Sequence, residues 1–180
     1  MFPSTRWLAC LSLLSALTLA GLATAADEKA DPKAAKVKLQ VKDFKGIQDV
    51  VKSHKGKVVV MDAWATWCPP CVKEFPNLVK LHKKYGAEKV ACISLSFDND
   101  GLGKFEEHQA RVQKFLEEQG ATFDNLMSNE DSDALFQKFE LGSVPAVFVY
   151  DKEGKLLKTF SSEKAYDEVG PLVEKLLAGG

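Results

Sequence analysis

Two cysteines two residues apart stand in Trp67-Cys68-Pro69-Pro70-Cys71, shortly after the unbroken apolar run Val58-Val59-Val60-Met61. A buried strand feeding a helix would put both sulfurs at the helix N-terminus, where peptide dipoles and free amides stabilise a thiolate. A pair so placed can close a small disulfide and reopen it, so the chemistry these residues support is reversible dithiol/disulfide exchange. The same spacing supplies half of a structural zinc site, but zinc needs two further ligands. Cys10 and Cys92 lie far apart, and His54, His82 and His108 are scattered, with no second CxxC and no HxxxH. No metal and no other cofactor is expected.

The elements that must position this pair lie behind an N-terminal segment of different character. Arg6 precedes an uncharged apolar stretch from Trp7 to Leu22 and the small residues Ala23-Thr24-Ala25, the pattern of an export signal cut after Ala25. An uncleaved membrane anchor over Trp7 to Ala26 is the alternative, just long enough to span a bilayer. Cys10 precedes most of the apolar run and reads as one more apolar residue within it. Residues 26–38, alanine, lysine and acid with one proline, read as a flexible linker, and 39–180 as one domain.

With 46% hydrophobic residues the domain can fill a core, and a formal charge of -1 with both signs interspersed argues against electrostatic binding of nucleic acid. An odd cysteine left in an oxidising compartment, Cys92, lies in Val90-Ala91-Cys92-Ile93-Ser94-Leu95, which reads as a buried strand with Cys92 a small core residue.

Apolar spacing predicts a helix at Phe44 to Val51, a strand at Lys57 to Ala63, a helix from Cys68 to Tyr85 capped by Gly86, and a strand at Lys89 to Ser96. A polar helix over Gly103 to Glu118 follows, closed by Gly120, then a short strand or loop at Thr122 to Met127. Asp133 to Phe139 is a brief helix with Leu135, Phe136 and Phe139 inward. Val144 to Tyr150 and Lys155 to Phe160 form a hairpin around Asp151-Lys152-Glu153-Gly154, and a last helix runs from Tyr166 to Leu177. Strand, helix, strand, helix with short connections implies a parallel crossover layer.

This order resembles the thioredoxin fold, an α/β architecture with a central mixed β-sheet and helices on both faces. Trp64, Trp67, Cys68, Pro70, Cys71 and Pro76 match the thioredoxin active-site strand and helix, as does Asp62, six residues before Cys68. Val144-Pro145 falls where the family keeps its cis-proline. The signal sequence, Cys-Pro-Pro-Cys-x-x-Glu-x-Pro and the long segment after Ser96 make the chain more similar to the exported TlpA/ResA-type members, although Asp62 resembles thioredoxin proper.

Under that resemblance Cys68, nearer the surface, attacks a partner disulfide, and Cys71 resolves the mixed disulfide. Pro69 and Pro70 lack amide hydrogens and so remove two donors that could face the Cys68 sulfur, which favours a reducing site. Asp62 is expected to be buried beside Cys71, where desolvation raises a carboxyl pKa and suits it to accept the Cys71 proton. Glu74, three residues past Cys71 and on the same helical face, is the other candidate for that role. Pro145 is implied to be cis, with Val144 against the disulfide and its backbone free to pair with an extended substrate, and Trp67 and Pro145 form the substrate rim. Pro76 kinks the helix.

The resulting expectation is an exported thiol:disulfide oxidoreductase acting on protein disulfides or dithiols. The resemblance implies electrons from a membrane dithiol donor and substrates such as apocytochrome c or copper-site cysteines. A thiol peroxidase is one rival, but Ala63-Trp64-Ala65-Thr66 does not supply Pro-x-x-x-Thr-x-x-Cys before Cys68. A copper-binding chaperone of this fold is another, for which the cysteines stand one residue too close and no histidine follows His108.

Overall fold

The computed structural model describes residues 36–179. The segment read above as an export signal with its expected cut site, Cys10, and most of the segment read as a linker lie outside the described residues. Eleven elements follow in the order β1 (Leu39–Lys42), α1 (Phe44–Ser53), β2 (Val58–Trp64), α2 (Pro69–Lys89), β3 (Val90–Ser96), α3 (Phe105–Gln119), β4 (Asp124–Ser128), α4 (Ser132–Lys138), β5 (Ala146–Tyr150), β6 (Leu156–Phe160) and α5 (Ala165–Ala178).

The six strands form one sheet in the order β1-β4-β3-β2-β5-β6. β1, β4, β3 and β2 run parallel, and β5 pairs antiparallel with both β2 and β6. β2 therefore has a neighbour on each edge, and every one of its residues is buried. That explains why its sequence is a continuous apolar run instead of an alternating one: both faces are covered by packed side chains.

Because successive strand residues face opposite sides, the run divides. Val59, Met61 and Ala63 join the cluster that includes Ile47, Val112, Leu116 and Leu135, whereas Val58 and Val60 pack with Leu78, Leu81, Val169 and Val173. Asp62 shares the second face, the one that α5 covers.

The helices and strands read from the sequence are all present, with differences that have local causes. β1 is an addition: Leu39-Gln40-Val41-Lys42 is only four residues long, half-buried on an edge, and carries no strong β signal of its own. The segment at Thr122 to Met127 is a true strand, held between β1 and β3. β5 starts at Ala146, since Pro145 cannot donate to the ladder. Leu135 is fully buried, while Phe136 and Phe139 only lean on the core.

Gly86 breaks α2 as expected, with a non-helical backbone (φ 67°, ψ 160°), and a further turn reaches Lys89. Pro76 lies inside α2 with helical backbone dihedrals. α3 closes as anticipated on Gly120, which adopts a left-handed φ of 63° and returns its amide to Glu117 and Leu116 carbonyls.

No atom lies within 4 Å of a Cβ built at Gly120, so only the backbone conformation opposes a side chain there. Gly120→Ala is expected to destabilise the protein by about 1 kcal/mol in a urea titration. A loss near zero would mean that the α3–β4 connection is free to change its turn.

Candidate active site

β2 leaves the sheet at Trp64, and four residues later Cys68 caps α2 with extended dihedrals (φ -103°, ψ 96°). Pro69 and Pro70 occupy the first two helical positions, where a missing N–H costs no helical hydrogen bond. The first amide able to reach the Cys68 sulfur is therefore that of Cys71, at 3.3 Å. Cys68 and Cys71 are joined by a disulfide, with their Cα atoms 5.3 Å apart.

Cys68 is 5% exposed and Cys71 3%, so in the oxidised form Cys68 is scarcely nearer the surface than its partner. The cause is the Val144–Pro145 turn, which lies over the pair. That peptide bond is cis, and the Val144 carbonyl oxygen stands 3.8 Å from the Cys68 sulfur. Trp67 is 48% exposed beside them, while Val144 and Pro145 are half-buried.

Asp62 sits on β2 between Ser94 of β3 and Val147 of β5, and is 4% exposed. Burial pushes its carboxyl up to about 7, the Tyr166 hydrogen bond pulls the other way, and the charge of Glu74 adds a further push. The Tyr166 hydroxyl, from the first turn of α5, donates to Asp62 Oδ2 at 2.6 Å.

Asp62, Cys71, Glu74, Pro145 and Tyr166 surround one small cavity of about 10 Å³. Such a volume has room for roughly one water molecule. Glu74 also lines an outer cleft of about 330 Å³ with Pro69, Pro70, Lys73, Glu163 and Lys164. It accepts a hydrogen bond from Asn77 Nδ2 at 2.8 Å. The two carboxyls thus stand in series, Asp62 inside and Glu74 in the wall toward solvent.

Cys92 lies on β3, 2% exposed and unpaired. Burial, and then the charge of Asp62, push its thiol up to about 12. Among the described residues no group of three or more His, Cys, Asp or Glu side chains could hold a metal ion.

Two parts of the site carry no sequence signal. One is Tyr166, which meets Asp62 across 104 residues of chain. The other is the anchor beneath the loop leading to Cys68. Asp98, fully buried after β3, accepts from the Thr66 amide at 3.0 Å, from the Thr66 hydroxyl, and from Ser96 Oγ at 2.8 Å. Arg111 of α3 donates through Nε to Thr66 Oγ1 at 2.8 Å, while its Nη2 lies 3.5 Å from Asp98. Thr66 thereby links a buried carboxylate to a cation two residues before Cys68.

A raised folded-state pKa at Asp62 means that the protonated carboxyl favours folding. Its contribution is complete below about pH 4 and is lost as pH rises through about 7. Asp62→Asn should therefore stabilise the oxidised protein at pH 8 relative to pH 4, by up to about 4 kcal/mol in paired denaturation curves. A pH-independent difference would contradict the burial of an ionisable group there. Thr66→Val, which leaves Asp98 and Arg111 each short of a partner, should cost about 1–3 kcal/mol, with Thr66→Ser recovering most of it.

The Redoxin family profile matches residues 29–173. The thiol-disulfide oxidoreductase ResA of Bacillus thuringiensis (strain Al Hakam) is 28% identical over 136 residues, which are 76% of this chain and 73% of that protein. The thioredoxin-like protein YneN of Bacillus subtilis (strain 168) is 30% identical over 114 residues, 63% of this chain and 62% of the relative. Among solved structures, a thiol-disulfide isomerase from Corynebacterium glutamicum superposes with a TM-score of 0.62 at 21% identity, covering 81% of this chain and 97% of that one, a likeness of fold. The chain belongs to the Redoxin family, as a ResA/TlpA-like thiol-disulfide oxidoreductase of the thioredoxin superfamily.

Proposed function

We propose that the protein acts outside the cytoplasm as a reductase of protein disulfides, through a mixed disulfide formed at Cys68 and resolved by Cys71. The observation that carries this reading is the Cys68–Cys71 disulfide capping α2, with Cys71 and the buried Asp62 lining one cavity.

In the reduced enzyme the Cys68 thiolate attacks one sulfur of a substrate disulfide. The substrate S–S bond breaks, one substrate thiolate leaves, and a Cys68–substrate disulfide forms. Cys71 then gives its proton to the Asp62 carboxylate, and its sulfur attacks the Cys68 sulfur. The Cys68–substrate bond breaks, the second substrate thiolate departs, and the Cys68–Cys71 disulfide is left. Two electrons pass to the substrate, and a dithiol donor at the membrane restores them to the enzyme.

Asp62 suits the acceptor role because a carboxyl held near 7 is partly ionised at neutral pH and still basic enough to take a thiol proton. Glu74, at the outer wall, passes the proton to solvent. The Val144 backbone edge, with Trp67, Pro69, Pro70 and Pro145, forms the surface against which an extended substrate segment lies. The reducing direction is supported by the helix start: with Pro69 and Pro70 in place, one amide faces the Cys68 sulfur, so the thiolate is weakly stabilised and the disulfide form is favoured.

Mixing reduced Cys71→Ser protein with insulin should accumulate a covalent adduct that dithiothreitol releases, visible by intact mass, and Cys68→Ser should form none. Adducts through Cys71 in the Cys68→Ser protein, with none from Cys71→Ser, would reverse the assignment of nucleophile.

A further inference from the structure

We propose that Tyr166 is a positioning residue for the proton transfer at Cys71: its phenol holds one oxygen of the Asp62 carboxyl and leaves the other to take the thiol proton. This rests on Asp62 being the acceptor for Cys71.

The Tyr166 hydroxyl donates to Oδ2 of Asp62, and among the described residues it is the sole hydrogen-bond partner of that side chain. The titrating groups gathered around Asp62 are Tyr166 of α5, Cys71 and Glu74 of α2, Cys92 of β3 and Glu163 of the β6–α5 loop. None is a cation. That composition matters, because a lysine or arginine beside Asp62 would hold it ionised at every working pH and make it a poor base.

A neutral phenol does a different job. It fixes the carboxyl in place and moderates the cost of its charge, yet leaves it basic. Burial, and then the neighbouring Asp62 carboxyl, keep the phenol well above its usual range, so it remains a donor throughout the titration of Asp62. In the transfer, the Cys71 S–H bond breaks, the proton goes to Asp62, and the electron pair left on sulfur forms the bond to Cys68 as the Cys68–substrate S–S bond breaks and the substrate thiolate leaves. Tyr166 keeps its own proton throughout.

Tyr166→Phe removes one oxygen atom and leaves the ring in place. The test follows the reaction of the reduced protein with 5,5′-dithiobis(2-nitrobenzoate) in stopped flow across pH. The first release of thionitrobenzoate reports attack by Cys68 and serves as the internal reference. The second reports resolution by Cys71.

The phenylalanine variant should move the pH midpoint of the second phase upward by about one unit, slowing resolution roughly tenfold below the original midpoint. The carboxyl C=O infrared band of the oxidised protein should shift its midpoint in the same direction. Asp62→Asn should abolish the midpoint in both measurements. If Asp62→Asn abolishes it and Tyr166→Phe leaves it unmoved, Tyr166 only packs and the proposal fails alone. If Asp62→Asn leaves the midpoint of the second phase intact, Asp62 is not the acceptor, and both readings fall together.

Discussion

The Asp62 carboxyl is carried on a strand that is buried along its whole length and hydrogen-bonded on both edges, so it cannot move toward water. Most of the site follows from that confinement. Burial strips the carboxylate of water there and lifts its pKa to about 7. Asp62 shares its small cavity with Cys71, one turn inside α2, and not with Cys68 at the cap. Cys68 and Cys71 therefore face different surroundings although they stand three residues apart.

The cap is governed by what it lacks. Pro69 and Pro70 start α2 well and in the same stroke deprive the Cys68 sulfur of two amides, leaving the 3.3 Å contact from Cys71. Thiolate stabilisation at such a site sets how strongly the disulfide oxidises others, and a poorly stabilised thiolate favours the closed disulfide. The ionised Asp62 nearby acts in the same sense, since a second negative charge at Cys71 is unfavourable beside it. Helix start and buried acid thus bias one equilibrium in one direction by separate physical means.

How much of this the sequence announces depends on whether a contact is local. The CxxC, its prolines and the apolar run of β2 are consecutive, and they place the disulfide and the helix end directly. Asp62 is legible because it breaks an otherwise apolar strand, and Pro145 because its position in the resemblance is specific. The four-residue β1 gives no such signal, its side chains being half-buried on an edge. Tyr166 and Arg111 reach the site only through tertiary folding, across 104 and 45 residues. The small difference in exposure between Cys68 and Cys71 was equally illegible, because it depends on the Val144–Pro145 turn folding over the disulfide from another part of the chain.

The central claim is that the Cys68–Cys71 pair gives electrons instead of taking them. The most direct measurement is its equilibrium reduction potential at pH 7, titrated against a thiol buffer with Cys68→Ser as the blank. The account predicts a value below about -220 mV, toward the thioredoxin end of the range. A value above about -150 mV, near the disulfide-forming oxidants, would contradict it.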